Sequence, residues 1–146
     1  MEAMGAVENV VTLDIPAKPE YVAVGRLALA ALLREAAFSD DAVADMKLAL
    51  TEACSNSIRH AFGEANGQVH LTFTLDGERL VLGVRDEGVG FAEEEVEAAA
   101  FTPGSTTNLP EGGMGFSIIR AVVDEFTLEH PVAGGTQLTM TKLKRA

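Results

Sequence analysis

Residues 52–56, Glu-Ala-Cys-Ser-Asn, carry two polar side chains at a spacing that suits chemistry. If the segment is helical, Glu52 and Asn56 lie four residues apart and therefore on one face of the helix. A carboxylate can act as a general base, and an amide oxygen can ligate a hard cation such as Mg²⁺. His60 would add a third polar group one turn further along. A solvated polar helix face has the same pattern, so the spacing alone leaves both explanations open.

A second candidate is the D-x-G-x-G motif formed by Asp86, Gly88 and Gly90, which directly follows a predicted strand. The Asp86 carboxylate can accept a hydrogen bond from the exocyclic amine of adenine, where guanine has a carbonyl. The two glycines would let the backbone pass close to a ligand. An ordinary Asp/Gly turn has the same residues, so this motif by itself is a weak signal.

A third candidate is the run Gly-Gly-Met-Gly-Phe at residues 112–116, which precedes a predicted helix. Glycines that open a helix expose backbone N–H groups and the positive end of the helix dipole to an anion. A flexible hinge would explain the run equally well. It is not a P-loop, because no Gly-Lys-Ser/Thr follows, and it lacks the βαβ context of a Rossmann fingerprint. The three motifs follow one another along the chain, and a Gly-Gly pair comes later, just before Thr136. Together and in this order, they indicate a complete nucleotide site.

Hydrophobic periodicity predicts the elements that must position these residues. Pro19 and Glu20 suit the first turn of one helix, and Ser39, Asp40 and Asp41 are N-cap candidates for the next. In chain order we expect a strand at 10–15, helices at 19–37 and 42–62, a hairpin of 69–75 and 80–84, a short acidic helix at 93–100, a polar loop at 101–113, a helix at 114–123, and strands at 125–130 and 136–143.

This order of elements predicts an α/β fold, specifically a two-layer α/β sandwich with a mostly antiparallel mixed sheet and helices on one face. The length of 146 residues predicts a single domain that covers residues 1–146. The first helix is apolar on more than one face. One of its faces would pack on the sheet, which leaves another to meet a partner.

The composition excludes several classes of protein. The formal net charge of −11 argues against binding to nucleic acid or to anionic membranes. No apolar run is long enough to span a bilayer, and the first residues lack the features of a signal peptide. Cys54 is the one cysteine, so no intrachain disulfide can form. We therefore expect a reducing, cytoplasmic compartment.

The motifs resemble those of the GHKL ATPase superfamily, which has the Bergerat fold, and within it the anti-sigma-factor serine protein kinases of the SpoIIAB and RsbW type. Residues 51–62 resemble the N box, 85–91 the first glycine box and 113–116 the second, while 134–136 match the closing box. The resemblance extends over nearly the whole chain. It implies that ATP or ADP binds with Mg²⁺ beneath a lid at about residues 101–112.

The resemblance also implies roles for individual residues. Glu52 would be the general base that takes a proton from a serine hydroxyl, and Asn56 would hold Mg²⁺. Asp86 would bind the adenine amino group with support from Thr136. The remaining nucleotide contacts would come from glycines that approach the nucleotide, from threonines of the lid, and from backbone N–H groups facing the phosphates: Gly88, Gly90, Thr106, Thr107, Gly113, Met114, Gly115 and Phe116.

The family resemblance implies two protein partners. One is a sigma factor that is held inactive, and the other is an anti-sigma antagonist of the STAS fold that is phosphorylated on serine. Such kinases are typically homodimers. Arg26 matches a first-helix arginine at the partner-binding surface, and we expect it to be exposed between apolar neighbours. An ordinary surface arginine would look the same in the sequence.

One departure from the family pattern lies in residues 101–116, which contain no lysine or arginine. Some family members carry an arginine just before the second glycine box, where this chain has Glu111. The alternative function is therefore a nucleotide-sensitive anti-sigma binding module with negligible phosphotransfer. A further alternative, the catalytic module of a sensor histidine kinase, would need a histidine-bearing dimer domain on another chain.

Overall fold

Five strands and three α-helices make up the part of the chain that the computed structural model describes, namely residues 8–60, 67–86, 111–129 and 135–145, with backbone alone at 60 and 111–115. The strands are β1 (Asn9–Pro16), β2 (Gln68–Leu75), β3 (Arg79–Asp86), β4 (Glu125–Glu129) and β5 (Thr136–Leu143). A short 3₁₀ turn at Pro19–Tyr21 leads into α1 (Val22–Glu35), which is followed by α2 (Asp40–His60) and α3 (Glu111–Val122).

The sheet has the strand order β1-β2-β3-β5-β4, and each described pairing is antiparallel. Because β3 and β4 are both antiparallel to β5, they run in the same direction, with α3 in the connection between them. A parallel pair would be expected if β3 and β4 were neighbours, but β5 lies between them. The sheet is therefore antiparallel throughout the described residues, where the sequence predicts a mostly antiparallel mixed sheet.

The strands alternate between one buried face and one that is polar and more exposed. Residues of the buried face share three properties: they are apolar, they recur at every second position, and they are nearly inaccessible to water. The central ones are Val69, Leu71, Phe73, Leu80, Leu82, Val84, Leu138 and Met140. The opposite face carries half-buried threonines such as Thr72, Thr74 and Thr139. This alternation is the period that places successive side chains on opposite sides of a strand.

The helices cover the apolar face of the sheet. Leu71 of β2 and Leu50 of α2 both lie close to Gly25 of α1, which places the two helices over that face. Phe116 of α3 stacks on Phe126 of β4 with ring centroids 6.2 Å apart, so α3 lies on the same side. The predicted two-layer sandwich with helices on one face is thereby confirmed. Within the described ranges, no helix is both long and apolar enough to cross a membrane.

The helix and strand predictions agree with the structure to within a few residues, apart from the segments that are not described. Ser39 is the N-cap of α2, because its Oγ accepts a hydrogen bond from the Ala42 N–H at 3.1 Å. The third helix begins at Glu111, three residues before the predicted start at Met114. An acidic residue in the first turn favours this earlier start, since it complements the helix dipole. The predicted acidic helix at 93–100 and most of the predicted loop lie outside the described residues.

Gly25 allows α1 to approach the sheet closely. A β-carbon at this position would lie 2.9 Å from Leu71 Cδ1 and 3.3 Å from Leu50 Cδ2, both in the packed core. We expect Gly25→Val to lower the free energy of unfolding by about 1–3 kcal/mol, because the core must move to admit the side chain. Chemical denaturation measures this. Ala31→Val, on the exposed side of the same helix, is the control, and an equal loss in both variants would contradict the packing argument.

Asp124 ties the end of β5 to the segment between α3 and β4. Its carboxylate accepts hydrogen bonds from the Leu143 N–H at 2.7 Å and from Arg145 Nη2 at 2.5 Å. Partial burial raises the pKa of Asp124, but the bonds from Leu143 and Arg145 outweigh it, and the net pKa is lowered. A lowered pKa in the folded state means that the carboxylate stabilises the fold above the unfolded pKa of about 3.9, and that this contribution is lost as the pH falls through the folded value.

We expect Asp124→Asn to lower the free energy of unfolding at pH 7 by about 1 kcal/mol, because the charge-assisted bonds become neutral ones. The difference from the unchanged protein should shrink as the pH falls below about 3.9 and close below the lowered folded-state pKa, because only there is the Asp124 carboxylate protonated in both states. Urea denaturation across pH 3 to 8 would reveal this. Glu125→Gln, on the adjacent exposed side chain, should leave the pH profile unchanged, and a pH-independent effect of Asp124→Asn would refute the assignment.

Candidate functional site

Asp86 and Thr136, which are fifty positions apart in the chain, face each other as cross-strand partners at one end of the sheet. Asp86 is the last residue of β3 and Thr136 is the first residue of β5. Each side chain is only 1% exposed. The register of the β3–β5 ladder therefore brings two of the predicted nucleotide-binding residues together in a buried position.

The hydroxyl of Thr136 is buried and has no hydrogen-bond partner among the described residues. Buried polar atoms in proteins are nearly always hydrogen-bonded, so an unpartnered one points to a ligand or an ordered water. The neighbouring Asp86 carboxylate, when ionised, can only accept hydrogen bonds. A hydroxyl beside an acceptor-only group fits the exocyclic amine and the ring edge of adenine. The residues present thus fit the predicted nucleotide.

Glu52 and Asn56 lie on α2, which packs against the sheet through its other side. Asn56 is 1% exposed, whereas Glu52 is half-buried. The i, i+4 spacing puts them on one face of the helix, as the sequence predicts. The side chain of His60 lies outside the described part of the structure. An amide oxygen and a carboxylate at this position fit a divalent cation and a proton acceptor respectively.

Arg59 is a candidate site residue that the sequence analysis missed. Its guanidinium Nη2 donates a hydrogen bond to Asn56 Oδ1. The family pattern places a cation just before the second glycine box, within residues 101–116, whereas this arginine lies one turn beyond Asn56 on α2. The i, i+3 spacing from Asn56 was the signal that could have found it. A positive charge therefore lies beside the predicted metal ligand.

Arg26 is half-buried, which corrects the expectation that its side chain is exposed. Its Nη1 donates to Thr51 Oγ1 at 3.3 Å, and the Thr51 hydroxyl donates to the Lys47 carbonyl at 2.8 Å. The sequence could not show this contact, because Arg26 and Thr51 belong to different helices. Side-chain packing between α1 and α2 decides how much of the arginine remains accessible.

A cleft of about 370 Å³ lies between α1 and α2. Both Arg26 and Arg59 line it, together with Pro19, Val22, Thr51, Ser55 and Ile58. Elsewhere on its surface, α1 presents exposed apolar side chains, among them Val24 at 43% and Leu27 at 73% exposure. The second apolar face predicted for the first helix is therefore present on the surface.

The remaining predicted nucleotide contacts are only partly described. Gly88, Gly90, Thr106 and Thr107 lie outside the described residues. Residues 113–115, Gly-Met-Gly, belong to the first turns of α3, and their side chains lie outside the described part of the structure. Phe116 is fully buried and packs on Phe126, so its side chain anchors α3 to the sheet.

Comparison with known proteins identifies the family of this chain. The family model described as "Histidine kinase-like ATPase domain" matches residues 15–142. The chain belongs to the family of histidine kinase-like ATPase domains. Among named members, the serine-protein kinase RsbW of Listeria monocytogenes is 34% identical over 143 residues, which cover 95% of this chain and 90% of that protein. The RsbW of Bacillus subtilis is 33% identical over 136 residues, covering 90% of this chain and 84% of that protein.

Solved structures share the fold of this histidine kinase-like ATPase domain. The RsbU and RsbW domains of Rv1364c from Mycobacterium tuberculosis align with a TM-score of 0.67 at 21% identity, covering 94% of this chain and 33% of that one. The present chain thus spans about a third of that structure. The mycobacterial sensor histidine kinase MprB aligns with a TM-score of 0.57 at 16% identity, covering 92% of this chain and 99% of that one. The predicted fold family is confirmed.

We expect Thr136→Val to weaken adenine-nucleotide binding by about 3- to 10-fold, the loss of roughly one hydrogen bond. In the free protein this substitution removes a hydroxyl that bonds to no described residue. The free energy of unfolding without nucleotide should therefore stay the same or rise. Calorimetry and urea denaturation measure the two quantities. Thr141→Val, on the opposite face of β5, is the control, and unchanged nucleotide affinity in Thr136→Val would count against this position.

Proposed function

We propose that this chain is an ATP-dependent serine protein kinase of the RsbW type that also acts as an anti-sigma factor. Its phosphate acceptor would be a serine of a STAS-type antagonist, and a sigma factor would be its second partner. The observation that carries the proposal is the placement of Glu52 and Asn56 on α2, together with the buried Asp86–Thr136 pair. Similarity to RsbW proteins over 90% or more of this chain supports it.

In this proposal each polar residue of the site has a distinct task. Asp86 accepts a hydrogen bond from the adenine amine, and the Thr136 hydroxyl supports the same ring edge. Asn56 would hold Mg²⁺ through its amide oxygen, where the metal would offset the negative charge of the phosphates. Arg59 places a further positive charge next to Asn56.

Glu52 would act as the general base of the transfer. It takes the proton of the serine hydroxyl as the serine oxygen forms a bond to the terminal phosphorus of ATP. The bond between that phosphorus and the bridging oxygen breaks, and ADP leaves. The half-buried position of Glu52 on the same helix face as Asn56 supports this task, because the base must reach a hydroxyl held beside the phosphates.

The other predicted contacts follow from the resemblance and remain predictions. Gly88 and Gly90 would pass close to the nucleotide, and Thr106 and Thr107 would contact it from the lid. Backbone N–H groups of residues 113–116 would face the phosphates, and the position of Gly113 in the first turn of α3 supports this for the start of the run. A homodimeric state is part of the same proposal.

Arg26 and its surroundings are the proposed partner surface. Hydrogen bonding to Thr51 holds the Arg26 guanidinium at the cleft, and α1 also carries exposed apolar residues on its surface. A half-buried arginine on a helix that also exposes apolar side chains fits an interface hot spot. This arrangement supports protein binding at this surface of the molecule.

The alternative is a nucleotide-sensitive anti-sigma binding module with negligible phosphotransfer. The lack of lysine and arginine in residues 101–116 favours it. The Glu52 carboxylate and the Arg59 guanidinium weigh against it, because a module that only binds needs no proton acceptor and because α2 supplies a cation.

A transfer assay with radiolabelled ATP, Mg²⁺ and the STAS-domain proteins of the same genome tests the proposal. We expect label on serine, with Glu52→Gln reducing the rate at least about 100-fold while nucleotide binding stays intact. Asp86→Asn should weaken ATP binding and reduce the preference for ATP over GTP. Glu35→Gln, at the exposed end of α1, is the matched control.

Each other outcome of this assay has a definite meaning. Adenine-specific binding without transfer to any STAS protein would replace the kinase with the binding module. Acid-labile label on a partner's histidine would favour the sensor kinase alternative. A chain that binds no nucleotide at all would refute the proposed function.

A further inference from the structure

The hydrogen bond between Arg59 and Asn56 joins an exposed side chain to a buried one. The Asn56 side chain is 1% exposed, whereas Arg59 is exposed and lines the cleft between α1 and α2. Arg59 Nη2 donates to the Asn56 amide oxygen, which is also the atom that would hold a divalent cation. The Arg59 guanidinium and a divalent cation would therefore compete for the same oxygen.

Binding of the guanidinium and a divalent cation to the Asn56 oxygen at the same time is unfavourable. A guanidinium and a divalent cation bonded to the same amide oxygen would lie a few ångströms apart, and their like charges would repel. The Asn56 side chain cannot turn away easily, because it is buried. Arg59 can move, since it is exposed and has a long flexible stem. The adjoining cleft offers the hydroxyls of Thr51 and Ser55 around the displaced group.

We infer that Arg59 and a divalent cation are mutually exclusive partners of the Asn56 amide oxygen. Arg59 is then a positioning residue: it holds this oxygen through a hydrogen bond, and it releases the oxygen when the cation binds. The inference rests on the proposed function, because it takes Asn56 as the metal ligand. It goes beyond that function because it makes the Mg²⁺ concentration needed for nucleotide binding depend on a single arginine.

The test measures how much Mg²⁺ is needed for binding of the fluorescent nucleotide mant-ADP. We expect Arg59→Met, which keeps the stem and removes the charge and donors, to lower the Mg²⁺ concentration at half-saturation by about 3- to 10-fold. Arg59→Lys keeps a charged donor and should remain close to the unchanged protein. Arg34→Met, on an exposed arginine of α1, is the control and should have no effect.

Two results of the Mg²⁺ titration would overturn the inference. A higher Mg²⁺ midpoint in Arg59→Met would mean that the arginine serves the phosphates and not the amide oxygen. An unchanged midpoint would mean that the Arg59–Asn56 contact does not oppose the metal.

A second measurement needs neither metal nor nucleotide. In EDTA, Arg59→Met should lower the melting temperature more than Arg34→Met, because the Arg59–Asn56 hydrogen bond is lost, and Arg59→Lys should recover most of the loss. Equal melting temperatures for the two methionine variants would overturn the inference. If the unchanged protein binds no mant-ADP at any Mg²⁺ concentration, the proposed function fails, and the melting comparison alone decides the role of Arg59.

Discussion

The hydrogen-bonded ladder between β3 and β5 runs from Arg79↔Leu143 to Asp86↔Thr136 and determines where the candidate site can form. The ladder requires β5 to insert between β3 and β4, which are connected through α3. A register shift of one residue would turn Asp86 or Thr136 to the opposite face of the sheet. The buried pair therefore depends on the same alternation that packs Leu82 and Met140 into the core.

Helix α2 connects this core to the chemistry of the site. Its apolar side, including Met46 and Leu50, is completely buried, and its polar side carries Glu52, Asn56 and Arg59. Burial of an amide costs about 1–3 kcal/mol if its hydrogen bonds are not replaced, so the bond from Arg59 stabilises the helix in this position. Because Arg59 is also next to the cleft that Arg26 lines, one helix face borders both the nucleotide site and the proposed partner surface.

Two buried groups show how function competes with stability in this fold. The Thr136 hydroxyl lies in the interior without a described partner, where valine would be the more stabilising choice. In contrast, the Cys54 thiol on α2 is a polar group with no task in the proposed mechanism, and burial raises its pKa to about 12. Cys54 thus behaves as a small apolar side chain, whereas the Thr136 hydroxyl retains a hydrogen-bonding capacity that no described residue uses.

The amino-acid sequence by itself determined the local features: the strands and helices, the Ser39 cap of α2, and the common helix face of Glu52 and Asn56. These follow from short-range spacing, because the backbone geometry sets a period of two residues in strands and about 3.6 residues in helices. Tertiary structure alone decided that Asp86 lies beside Thr136 and that Arg26 is half-buried against Thr51. Strand register and helix packing control these two contacts, and neither contact has a fixed spacing along the chain.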